Sequence, residues 1–335
     1  MPWDVIGHEA AVRWLQQQVR RGRVHHAYLF VGPPGVGRRT VARRFAQALL
    51  CEQPPEPGAF CGQCRACRQL ETDKHPDLHI LDTTGGLKVA AVRAAQATWN
   101  LSPRAGRYRI ALLPEVQHAT PAAANALLKT LEEPPEHLIV LLTASEPEAL
   151  LPTVVSRCEV VRLRPLAVAQ LQAALQARGV APTVAAEAAA WAQGRPGLAL
   201  RLAQDPDARA AYAEEWRQVW TLLQQPLYRR LRAVEGFTPS QRDRARQVLT
   251  QWLAVWRAVW HMQWAPDAAT APPGWEDALQ ALAAAVPRER TRALLDDLLE
   301  ALAHLERYAS PRLVLGAVLT AWPVLEGPLP TPPPA

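Results

Sequence analysis

Short apolar runs alternate with helix-spaced apolar positions through the first half of the chain. The runs at 27–31, 78–82, 108–113, 137–143 and 158–163 are rich in Ile, Leu and Val. The segments 39–50, 88–99 and 121–132 carry apolar residues at helical spacing. Alternation of this kind predicts an α/β layer structure around a largely parallel sheet. The strongest run, 138–144, reads as a strand buried on both faces. After Pro165 the pattern changes. Leu, Ala and Trp recur at helical spacing and no segment reads as a strand, so an all-helical remainder is expected.

The division expected from these changes is fourfold. An α/β domain fills 1–165, a small helical unit fills 166–205, and a longer helical domain fills 206–325. The break near 205 rests on the turn-like Gln204-Asp205-Pro206-Asp207. The proline-rich tail 326–335 can form neither a helix nor a central strand.

A length of 335 residues suffices for two or three domains with real cores. With 49% hydrophobic and 20% charged residues, the composition is neither disordered nor membrane-like. No apolar run approaches the ~18–20 residues of a membrane-spanning helix. The first residues carry no basic region followed by an apolar one, so no signal peptide and a cytoplasmic location are expected. The net charge of +6 is concentrated in the first half, a mild attraction for nucleic acid at most. Only Lys74, Lys88 and Lys129 are lysines, so a Lys-to-Arg change within a motif is weak information here.

Cys51, Cys61, Cys64 and Cys67 are spaced C-x9-C-x2-C-x2-C. Three thiols on one turn-rich loop and a fourth at the preceding helix end suit a closed, four-thiolate structural zinc site. Disulfides are disfavoured in a cytosolic chain. An iron–sulfur cluster also fits the spacing. Cys158 lies too far along the chain to belong to the set.

Gly32-Pro33-Pro34-Gly35-Val36-Gly37-Arg38-Arg39-Thr40 follows an expected strand and opens an expected helix, the setting of a phosphate-binding loop. The working pattern has Lys at 38 and Ser or Thr at 39. Arg38 keeps the charge on a planar, bulkier group. Arg39 cannot hold Mg²⁺. Thr40 is one position late, which turns it ~100° around the helix. The strand ending in Pro114-Glu115 has lost the metal-binding Asp of its motif and kept the Glu. Two metal-binding positions are thus missing together, and the expectation is a site that does not hydrolyse ATP. Weak ATP, ADP or anion binding stays open.

Together with Ile6-Gly7, the segment from His26 to Phe30, His75-Pro76-Asp77, the run from Asn125 to Pro135 and Ser156-Arg157-Cys158, these motifs fall in a distinctive order. In that order and spacing the chain resembles bacterial clamp-loader subunits of the AAA+ class, the delta-prime type of DNA polymerase III most closely. The likeness covers most of residues 1–200; the helical remainder matches only in length and character. The resemblance implies an AAA+ P-loop core with a zinc insert, a helical lid and a helical collar. The implied partners are gamma/tau- and delta-type subunits, a sliding clamp and, through the assembled complex, primer–template DNA, with no membrane. It also implies that Arg157 enters a neighbouring subunit's ATP site, where an arginine supplied in trans stabilises the transferring phosphoryl group. Active members carry a Gly-x-x-Arg in the lid. Here Gly197 stands at the arginine position, in Gly194-Arg195-Pro196-Gly197-Leu198. Own-site elements are degraded while the neighbour-serving element is intact. That asymmetry favours a non-hydrolysing subunit over an active gamma/tau-type ATPase, which is the alternative.

Three further features are expected to be structural or ambiguous. Trp252, Trp256, Trp260 and Trp264 form a slowly drifting helical stripe, either core-facing or a subunit-contact face. Arg104, Arg107 and Arg109 read as a basic turn. Lys129, with Glu132 and Glu133, reads either as a self-paired solvated face or as a contact near a neighbouring subunit.

Overall fold

The computed structural model describes residues 3–81, 86–264, 271–306, 309–325, 327 and 329–330. It divides into two compact units. One comprises residues 1–166 with 195–197, and the other comprises 167–194 and 198–335.

In the first unit, α1 (Glu9–Arg20), α2 (Arg38–Leu50), α3 (Arg65–Glu71), α4 (Val89–Trp99), α5 (Pro121–Glu132) and α6 (Pro152–Val155) surround five strands. These are β1 (Ala27–Val31), β2 (Leu78–Ile80), β3 (Arg109–Leu113), β4 (Leu138–Ala144) and β5 (Glu159–Arg162). The sheet is wholly parallel in the order β2-β3-β4-β1-β5. Leu29 of β1 sits opposite Leu142 of β4 on one side and Val160 of β5 on the other.

Every residue of β1, β3 and β4 is buried. That explains their near-continuous apolar sequences, since helices cover both sheet faces. Alternate residues feed two separate cores. Tyr28, Phe30, Ile110 and Leu141 pack with Val41 and Phe45 of α2 on one face. Leu29, Ala111, Val140 and Leu142 pack with Val92 of α4 and Leu127 of α5 on the other. This is the α/β class with a parallel sheet expected from the alternation. Strand order reverses at β1, so its carboxyl end opens onto the crevice where ligands of such sheets bind.

The second unit, among its described residues, is all helical: α7 (Val168–Gln176), α8 (Pro182–Ala192), α9 (Pro196–Gln204), α10 (Pro206–Leu223), α11 (Leu227–Arg232), α12 (Arg242–Trp264), α13 (Glu276–Ala285), α14 (Arg288–Glu306) and α15 (Pro311–Ala321). Its core is built on tryptophan. Trp191, Trp216 and Trp275 meet edge to face with ring centroids 5.0–6.1 Å apart, and Trp220 joins at 5.7 Å. Such pairs contribute ~0.5–1.5 kcal/mol each beyond area burial.

The α12 stripe runs from core to surface. Trp252 and Trp256 are buried against Trp322, Trp260 is half-buried, and Trp264 is 61% exposed under the Arg288 guanidinium. A four-residue step overshoots one turn by ~40°, and three steps suffice to carry the last ring off the buried face. No helix among the described residues is long and apolar enough to cross a membrane. The proline-rich tail 326–335 lies outside the described residues except at 327, 329 and 330.

Candidate functional site

The loop between β1 and α2 is shaped by its glycines. Gly32 has φ 149°, and a Cβ there would lie 2.2 Å from the Leu163 carbonyl oxygen, so only glycine fits beside β5. Gly37, with φ 106°, caps α2 and turns the first amides of that helix toward the crevice. His8 Nε2–H donates to the Val36 carbonyl at 2.9 Å and ties the loop to the chain start. The Gly197 amide donates to the Gly35 carbonyl at 2.9 Å. A Cβ at 197 would come within 3.1 Å of that oxygen, so the glycine at the expected arginine position brings backbone directly against the loop.

A cavity of about 600 Å³ lies over this loop, lined in part by Gly35, Gly37, Arg38, Arg39, Thr40, Pro114 and Glu115. Arg38 is 6% exposed and its Nη2 donates to Glu115 Oε1 at 3.2 Å. Burial lowers the Arg38 pKa, and the Glu115 carboxylate opposes that shift. Arg38 Nη1 is buried without a hydrogen-bond partner among the described residues.

Glu115 adopts φ 45°, a left-handed conformation that costs a residue with a Cβ about 1 kcal/mol or more. Its amide donates to Thr143 Oγ1 at 2.9 Å, which holds the turn at the end of β3. Arg39 is half exposed and pairs with Asp73 at 3.6 Å. Gly32, Gly35, Gly37, Arg38, Thr40 and Glu115 are thus brought to one end of β1. Arg39 and Pro114, the positions where the sequence pattern expects Mg²⁺ ligands, offer a half-exposed guanidinium and a proline ring.

Arg157 follows the short α6, flanked by exposed Ser156 and half-buried Cys158. Burial pushes the Cys158 thiol up to about 12, so it is a neutral packing group, and it lies apart from the other four cysteines. The Arg157 guanidinium donates through Nη1 to the Thr153 carbonyl at 2.9 Å and to Ser156 Oγ at 3.4 Å. Its Nη2 pairs with Glu132 Oε1, in the last residue of α5, at 2.8 Å. Glu132 is therefore not paired with Lys129, contrary to one of the two readings of that face.

The four cysteines converge. Their sulfurs lie within 4.8 Å of one another, with Cys51–Cys61 at 3.7 Å and Cys51–Cys64 and Cys61–Cys67 at 4.0 Å. Four sulfurs each ~2.3 Å from a tetrahedral zinc would be ~3.8 Å apart, so the set fits that ion. Disulfide separations of ~2.05 Å do not match. The amides of Cys61, Cys64 and Cys67 donate to the sulfurs of Cys51, Cys61 and Cys64 at 3.3–3.4 Å. Thiolates are the form that accepts such bonds best. Cys64 is also the N-cap of α3, whose first turn carries Cys67 inward.

The expected basic turn contains a buried network instead. Asp77 is 0% exposed and accepts the amides of Arg104, Ala105 and Gly106 at 2.7, 2.7 and 3.0 Å. Arg109 is 1% exposed and lies 3.7 Å from Asp77. It donates to the Leu101 and Ser102 carbonyls and to His79 Nε2. Arg109 is thus structural, and Asp77 of His75-Pro76-Asp77 anchors the neighbouring turn. The sequence marked Glu132 only through its neighbour Lys129, and it had no means of finding Thr143 or His8, because each acts across a distance of many residues.

Residues 7–167 match the family described as DNA polymerase III, delta subunit. The tau subunit of DNA polymerase III from Escherichia coli (strain K12) is 39% identical over 173 residues, 52% of this chain and 27% of that protein. The delta' subunit from Pseudomonas aeruginosa is 39% identical over 141 residues, 41% of this chain and 43% of that protein. The chain spans less than half the length of these curated relatives. Among solved structures, a gamma subunit-related protein from Thermotoga maritima aligns over 93% of this chain and 97% of its own, at 18% identity and TM-score 0.40. A RuvB variant from the same organism aligns over 69% and 82%, at 16% identity and TM-score 0.46. Over residues 7–167 the chain is thus similar to tau- and delta'-type subunits of DNA polymerase III.

Proposed function

We propose that this chain is a delta-prime-type clamp-loader subunit. In this reading it does not hydrolyse ATP itself but donates Arg157 to the ATP site of an adjacent gamma/tau-type subunit, within the ring that places a sliding clamp on primer–template DNA. The observation that carries the reading is the Arg38–Glu115 pair at 3.2 Å. The carboxylate that would polarise an attacking water is engaged by a guanidinium from the phosphate loop, beside a proline where a metal ligand would stand. Arg157 stands at a helix end in a surface ion pair with Glu132, which a neighbour's phosphate can displace.

Cys51, Cys61, Cys64 and Cys67 would hold a structural zinc, which supplies a cross-link between the end of α2 and α3 and no open coordination position. The small helical segment after residue 166 serves as a lid and the longer helical part as a collar that joins subunits.

The test is the ATPase of the reconstituted clamp loader carrying R157A. A fall of tenfold or more in turnover, with folding and assembly intact, is expected. Unchanged turnover rules out the finger.

The tau relatives support a second reading, an active gamma/tau-type ATPase. It requires Mg²⁺-dependent turnover by the isolated chain that E115Q abolishes.

A further inference from the structure

We propose that Glu132 is a positioning residue for Arg157: its carboxylate sets the direction in which the guanidinium leaves the domain. The inference rests on the finger reading above and adds a residue to it.

The geometry is a three-point seat. Nη1 is tied to the Thr153 carbonyl at 2.9 Å and to Ser156 Oγ at 3.4 Å, both on the element that carries Arg157 itself. Nη2 is tied to Glu132 on α5 at 2.8 Å. The first two contacts follow from local chain geometry and permit the planar group to swing about its own turn. The third comes from a separate helix packed against the sheet through buried Leu127 and Leu131, and it removes that freedom. A guanidinium has a rigid fork of donors, so fixing both terminal nitrogens fixes its plane.

The placement of Glu132 points the same way. It is the last residue of α5, followed by Glu133, where the helix dipole disfavours a negative charge. Side-chain exposures of 35% for Arg157 and 48% for Glu132 mean the pair contributes little to stability. A carboxylate that breaks a local rule, with little return in stability, is accounted for by what it does to Arg157. Orientation matters because an arginine held near its working direction reorganises less when phosphoryl charge develops. The seat is also releasable. An exposed ion pair exchanges readily, so phosphate oxygens can compete for Nη2 once a neighbour is in place.

The experiment uses the clamp loader reconstituted from this chain and its cognate subunits, with ATP turnover measured for wild type, R157A, E132A, E132Q and the double variant R157A/E132A. Glu132 as positioning residue predicts a three- to tenfold lower kcat for E132A with little change in KM. E132Q keeps an acceptor of the same length for Nη2 and is expected to recover at least half of the loss. E132A added to R157A is expected to change nothing further. If R157A lowers kcat but E132A does not, the inference is overturned and the finger reading stands. An equal E132A effect on the R157A background would make Glu132 merely structural and overturns the inference, as does an E132Q loader no faster than E132A. If R157A itself has no effect, the finger reading fails first.

Discussion

Arg38 Nη2 and Glu115 Oε1 meet at 3.2 Å, joining the first turn of α2 to the end of β3 beside the cavity over the glycine-rich loop. Calorimetric titration of the purified chain with ATP should therefore give the same result in Mg²⁺ as in chelator, within about twofold. A Mg²⁺-dependent affinity gain of tenfold, about 1.4 kcal/mol, would mean that the loop still holds a metal–nucleotide complex.

The same pair carries a stability prediction. Arg38 is buried but Glu115 is 41% exposed, so the pair lies between the surface and interior cases. R38A is expected to cost about 1–2 kcal/mol in urea unfolding, through the lost pair and the cavity left behind. E115A should cost at least as much, because it leaves the buried Arg38 guanidinium without its counter-charge, whereas R38A leaves a half-exposed carboxylate that water can solvate.

Asp77 provides the pH-dependent element. Burial alone would raise its pKa, but three backbone amides and Arg109 outweigh burial and hold the carboxyl below the usual range. A carboxyl with a lowered folded-state pKa stabilises the fold above its unfolded value of ~3.9, and that contribution is lost as pH falls through the folded value. D77N should cost about 3 kcal/mol at neutral pH, leaving Arg109 buried without its counter-charge. The gap between wild type and D77N in urea unfolding should shrink on acidification below ~4. A gap independent of pH would show that the charge contributes nothing.

Metal analysis of the purified chain should find one zinc per chain, and C64S should abolish stoichiometric binding. Ligand thiols must lose their protons to bind, so zinc affinity should rise with pH and fall on acidification. Chelation is expected to loosen the segment 51–67, read as faster amide exchange there. The buried strands β1, β3 and β4 should keep their protection. Iron in place of zinc would select the cluster reading left open by the spacing.

The α12 tryptophans should separate by position. W252A removes a ring that is 2% exposed and packed edge to face against Trp322, and about 3–5 kcal/mol is expected. W264A removes a ring that is 61% exposed, and a change within about 1 kcal/mol is expected in thermal unfolding. Equal costs would mean that Trp264 is covered in solution.

Much of the fold was legible because the α/β half obeys local rules. All five strands appear where apolar runs were read, within a residue or two at their ends; for β1, β3 and β4, buried on both faces, an apolar sequence is the only choice. The break in the phosphate loop was legible because a motif fixes both spacing and residue type. The Asp77–Arg109 network was not, because Arg104, Arg107 and Arg109 look alike in sequence. Only the path of β3 sends Arg109 inward while the neighbouring turn aims its amides at Asp77. The tryptophan cluster of Trp191, Trp216 and Trp275 was likewise invisible, because its members come from separate helices.

By itself the sequence determined the class of sheet, the place of the glycine-rich loop between β1 and α2, and the four-cysteine set. These depend on residues close together along the chain, where spacing is geometry. Tertiary structure alone decided what the altered residues do. It put Arg38 on Glu115, 77 residues apart, and the Gly197 amide on the Gly35 carbonyl. It also seated Arg157 on Glu132. A charged side chain finds its partner by where the backbone elements pack, and that packing is set by the whole core rather than by any local stretch.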